Sequence, residues 1–121
     1  MSHVETEEIL ARYIYSKNHY RSSDHTARHS VFMPPEDRRL SVFRISGLQE
    51  NDVWSIGDNL RSQPSLGRAD IKALSVLEIG LLIDADDIPP RHANIIGWPE
   101  EASAIKLKAM ELAEKASLRL K

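Results

Sequence analysis

PEEASAIKLKAMELAEKASLRL, residues 99–120, reads as one amphipathic helix. Proline suits a first helical position, where its missing N–H costs nothing. Glu100 and Glu101 follow it, where the helix dipole favours negative charge. Ile105, Ala109, Leu112, Ala116 and Leu120 make one apolar stripe, and Lys115, Arg119 and Lys121 collect near the C-terminal end. Such a stripe needs a surface to cover. The remainder of the chain supplies short strand-like runs, so the expected architecture is α+β. One small antiparallel or mixed sheet is packed by this long C-terminal helix and by one or two shorter ones.

Working back from Pro99, Arg91–Ile96 reads as a short strand. Ala69–Leu77 and Leu81–Asp84 are apolar and read as a hairpin turning near Glu78–Gly80. A single helix over Ala69–Leu82 competes with that reading, on its Ala and Leu content. Arg61–Gly67 is a loop. Glu50–Leu60 places Val53, Trp54, Ile56 and Leu60 at helical spacing, with Asp52 near its start. Leu40–Ile45 alternates sides and reads as a strand, paired across the turn Pro34–Asp37 with a strand at His29–Met33. Ser16–Ser30 is polar and reads as a loop. Val4–Tyr15 reads as a short helix, although Tyr13-Ile14-Tyr15 keeps a strand open there.

The 121 residues suit a single domain, 1–121, and 41% hydrophobic against 28% charged residues is an ordinary globular balance. There is no cysteine. That excludes disulfides, a cysteine nucleophile and thiolate metal sites, and it fits a reducing, cytoplasmic location. Glu5, Glu7 and Glu8 stand where a signal peptide would carry basic and then apolar residues. Leu74–Ile83 is too short to span a bilayer and contains Glu78, so no membrane partner is expected. Net charge is −2, but it is unevenly spread. Residues 12–44 hold seven Arg/Lys against three Asp/Glu, and residues 45–100 hold four against nine. Such segregation can mark a face that meets anions.

The densest candidate is Arg12-Tyr13-Ile14-Tyr15-Ser16-Lys17-Asn18-His19-Tyr20-Arg21, which contains all three tyrosines of the chain. Aromatic rings stack on bases and cations neutralise phosphates, so Arg12, Lys17, Tyr20 and Arg21 are candidate contacts to nucleic acid. The alternative is that Tyr13 and Tyr15 pack inside and the charges are solvated. Two Arg-His pairs, Arg28-His29 and Arg91-His92, each precede an expected strand. On neighbouring strands, His29, His92 and Arg91 would form an acid–base site for a phosphate-containing substrate. Chance occurrence at strand entries is the plainer reading. Asn94 and Trp98 at the strand-to-helix junction can line a pocket; the alternative is that Trp98 packs against the core and Asn94 bonds to nearby backbone. Arg68, in the turn Gly67-Arg68-Ala69-Asp70, is a further anion contact.

Asp84, Asp86 and Asp87 lack the glycine and distal glutamate of a calcium loop and read as a solvated turn. His25 and His29 lack the glutamate of a zinc helix. No metal is therefore expected. With no P-loop, G-x-G-x-x-G or G-x-S-x-G, no cofactor is expected either.

RHSVFMPP (28–35), SVFRISGL (41–48), VWSIGDN (53–59) and PPRHANIIGWP (89–99) together resemble short uncharacterised bacterial proteins. The resemblance implies a bacterial cytoplasmic protein and carries no activity. The expectation is a non-enzymatic binding or regulatory module that recognises a protein partner or an anionic ligand such as nucleic acid. The alternative is a small Arg/His-dependent enzyme acting on a phosphate-containing or nucleotide substrate.

Overall fold

A computed structural model describes residues 3–121. The chain is α+β. Six strands form one antiparallel sheet: β1 (Ile9–Ile14), β4 (Leu40–Arg44), β5 (Gly67–Lys72), β6 (Leu82–Ala85), β7 (His92–Ile96) and β8 (Ser117–Leu120), in the spatial order β6-β7-β4-β1-β5-β8. A two-stranded ribbon, β2 (Tyr20–Arg21) with β3 (Thr26–Ala27), stands apart. The helices are α1 (Glu50–Leu60), α2 (Ala73–Glu78) and α3 (Ala102–Lys115).

Both faces of the sheet are covered. On one, Ala109, Leu112 and Ala113 of α3, Val76 of α2, and Val31 and Phe32 pack on Leu10, Ile14, Leu40 and Ile71. On the other, Val53 of α1 packs on Ala11, Tyr13, Phe43 and Ile45. A Cβ on Gly57 would overlap the Tyr13 ring, so glycine lets α1 lie close on β1.

The first strand departs from the expected helix over Val4–Tyr15. β1 is central and buries residues on both faces, Leu10 and Ile14 on one and Ala11 and Tyr13 on the other. A strand covered on both sides loses its alternation and cannot be told from a helix by period. His29–Phe32 is a 3₁₀ turn and not a strand. Both edges of β4 are taken by β1 and β7, so no pairing is left for it.

Neither reading of Ala69–Leu82 survives. A strand, the short helix α2 and the start of another strand divide it. The C-terminal helix is also shorter than expected, 14 residues instead of the run Pro99–Leu120. Glu101 is extended (φ −75°, ψ 136°) and Ala116 likewise (φ −77°, ψ 152°). Ser117–Leu120 leaves the helix to pair with β5, from Asp70↔Ser117 to Gly67↔Leu120. Leu112 is fully buried, Ile105 and Ala116 are partly covered, and Leu120 is exposed.

Among the described residues no helix is long and apolar enough to cross a membrane. The charge asymmetry of the sequence does not make separate faces. Arg39 pairs with Asp84 at 2.6 Å and Arg44 with Asp87 at 3.4 Å, so basic and acidic segments meet.

Candidate functional site

A cleft of about 340 Å³ opens on the α1 face, lined by Ala11, Arg12, Tyr13, Tyr15, Ser41, Phe43, Leu60, Arg61, Pro89 and His92. A hollow of about 190 Å³ shares Arg12, Tyr13, Tyr15 and Arg61 with it and adds Ser16, His19, Ser30, Val31 and Gln63. Neither lining contains an Asp or a Glu.

The tyrosines build the walls. Tyr13 Oη donates to the Val53 carbonyl and Tyr15 Oη to that of Gly57, both at 2.5 Å, which clamps α1 over β1. Burial pushes both phenols above their usual range, so they remain neutral donors. Arg61 caps the end of α1 and lies over the Tyr15 ring at 4.8 Å.

Arg12 is half-buried. Its Nε donates to the Val31 carbonyl at 2.9 Å and one terminal nitrogen to the Ser41 carbonyl at 3.1 Å. Among the described residues it pairs with no carboxylate. Burial lowers its pKa and the nearby Arg61 charge lowers it further, while guanidinium still keeps its proton. Two cations therefore face one cleft without a counter-charge.

His92 stands at the other side of the cleft. Its Nδ1 is 2.7 Å from Asp86 Oδ1 and its Nε2 2.9 Å from Ser41 Oγ.

The structure brings together Arg12 and His92 from the sequence candidates, and sets Asn94 on the Asp86 that holds His92. The others lie apart from this group. Lys17 is exposed on the 3₁₀ turn Lys17–His19, Tyr20 packs partly against the α3-side core, and Arg21 pairs with Asp24 at 3.9 Å. Arg68 is 2% exposed and its donors are taken by Asp70 and Glu50. The two-histidine arrangement is not formed. Arg28 and His29 lie in a groove against Met110, Ala113 and Glu114 of α3, across the sheet from His92. Arg91 donates to the Arg44 carbonyl at 3.0 Å.

Asn94 is buried and donates to Asp86, not to backbone, at 3.3 Å. Trp98 is also buried, and its Nε1 donates to the Ile95 carbonyl at 2.9 Å. Asp84 and Asp87 each face an arginine, and Asp86 faces the His92 ring, instead of water alone. Among the described residues no group of three metal-ligating side chains forms.

Ser41, Arg61 and the pairing of Asp86 escape sequence reading. Arg61 follows an amphipathic helix with no motif around it, and Ser41 is one polar residue on an alternating strand. Only the β4–β7 register brings Ser41 beside His92.

The chain matches no protein-family model, no curated protein and no solved structure.

Proposed function

We propose that the chain is a binding module for a phosphate-type anion, held between Arg12 and Arg61 in the α1-face cleft. The observation that carries this reading is Arg12, bonded to two carbonyls and to no acid. A half-buried cation is costly unless something compensates its charge. An anion in the cleft supplies that compensation, and guanidinium offers it a planar donor pair. His92, Ser41 and Tyr15 provide further polar edges around it.

Calorimetric titration with inorganic pyrophosphate at low salt tests the reading. Arg61 is exposed and bonds no carboxylate among the described residues, so Arg61→Ala is a clean variant. Loss of one charge-assisted bond is worth about 1.5–3 kcal/mol, so affinity should fall roughly tenfold or more. Absence of binding by the unaltered protein, or equal affinity in Arg61→Ala, contradicts the reading.

A further inference from the structure

The cleft holds an arrangement that ion binding alone does not use. Asp86, His92 and Ser41 form a relay, with 2.7 Å from carboxylate to Nδ1 and 2.9 Å from Nε2 to hydroxyl. The His92 hydrogen bond holds the Asp86 carboxyl below its usual range, so it is ionised at neutral pH and only accepts. Nδ1 then carries the proton, which leaves Nε2 of the neutral ring to accept from the Ser41 hydroxyl. Asp86 is itself fixed by Asn94 Nδ2 and by the Ile88 N–H, each at 3.3 Å. The imidazole stands edge-on to Phe43, with centroids 5.4 Å apart.

Strand register makes this geometry. Ser41 faces Asn94 and Phe43 faces His92, so Ser41 and His92 are diagonal neighbours across β4 and β7. The His92 side chain is 12% exposed, whereas Ser41 opens to the cleft. The base is shielded and the hydroxyl is reachable. Arg12 donates to the Ser41 backbone carbonyl at 3.1 Å, and both residues line the same cleft.

We propose that Ser41 is the nucleophile of a phosphoryl-transfer site, with His92 as its base, Asp86 as the positioning residue, and a phosphate ester held by Arg12 and Arg61 as substrate. The proposal rests on the anion reading of the cleft. Ser41 Oγ forms a bond to phosphorus while its proton passes to His92 Nε2. The bond from phosphorus to the ester oxygen breaks on the opposite side, and the departing alkoxide takes a proton from solvent. Water then attacks the phosphoserine from that open side and loses its proton to solvent. The Ser41 Oγ–phosphorus bond breaks, and His92 returns the proton to Oγ. The guanidinium groups stabilise charge building on the phosphoryl oxygens. The net reaction is hydrolysis of the ester by one water.

The test uses 4-nitrophenyl phosphate and bis(4-nitrophenyl) phosphate, read by nitrophenolate release, with pyrophosphate affinity measured on the same preparation. Release is expected from at least one ester. It should fall about 100-fold or more in Ser41→Ala and in His92→Gln. Acid-quenched protein should carry a phosphoryl adduct at Ser41. Asp86→Asn should lower kcat and leave KM unchanged, as a positioning role requires. If His92→Gln does not fold, Ser41→Ala decides alone, because Ser41 is exposed. Pyrophosphate binding without release from either ester and without adduct overturns the nucleophile and leaves the binding reading standing. Equal turnover in Ser41→Ala also overturns it. No pyrophosphate binding removes both.

Discussion

Arg68 and Arg12 are both guanidinium groups taken out of bulk water on strands of the same sheet, and they are treated in opposite ways. Arg68 meets Asp70 at 3.0 Å and Glu50 at 2.9 Å, and stacks on Trp54 at 4.6 Å. Arg12 meets two carbonyls, and the charge that acts on it most strongly is Arg61, another cation. A charge whose acids are built into the chain serves the fold. A charge given only dipoles holds its position and keeps its field for something outside.

Removing each arginine should break the comparison most visibly. Arg68→Ala leaves Asp70, whose side chain is only 11% exposed, without its main partner, which should cost about 3 kcal/mol in urea unfolding. Arg12→Ala frees two carbonyls in a half-open site that water can enter, a cost of about 1–2 kcal/mol. The ranking should reverse for pyrophosphate affinity among variants that remain folded. A larger stability loss at Arg12 than at Arg68 would place both in the same structural role.

Gly57→Ala sharpens the same contrast by moving the wall of the cleft. Alanine normally gains about 1 kcal/mol over glycine inside a helix. Here its methyl would strike the Tyr13 ring, so the variant should be less stable and should bind pyrophosphate more weakly. A stabilised Gly57→Ala would mean that α1 does not rest on Tyr13 as described.

The smallest effect is in acid. Asp58 is another saturated charge, bonded by Lys121 and by the N–H and hydroxyl of Ser65, which lower its pKa from 3.8 to about 2. A depressed carboxyl stabilises the fold above its ordinary value and loses that contribution as pH falls from about 4 towards about 2. The melting temperature should decline through this window, and less so in Asp58→Asn. Arg12 has no proton to gain or lose there, so Arg12→Ala should leave the slope unaltered.

Elements whose own residues show a clear period were legible in the sequence. Glu50–Leu60 is a helix at the expected boundaries, and Leu40–Arg44, where exposed Ser41 interrupts the apolar residues, is a strand within one residue of them. Elements defined by their neighbours were not. β1 reads ambiguously because both its faces are covered, and SLRL at 117–120 continues a helical stripe until β5 offers it an edge. The cleft divides in the same way. Arg12 and His92 stand out by residue type. Arg61 and Ser41 acquire meaning only when the sheet brings distant segments together, since register, not spacing, puts Ser41 beside His92.

The most direct test compares the two arginines within one molecule, by following amide and arginine Nε–H resonances during a pyrophosphate titration. The account predicts saturable shifts at Arg12 and Arg61 Nε–H and at the Ser41 and His92 amides, with Arg68 Nε–H unmoved. Shifts confined to Lys17–Arg21, a shift at Arg68 equal to that at Arg12, or no shift at low salt would contradict it.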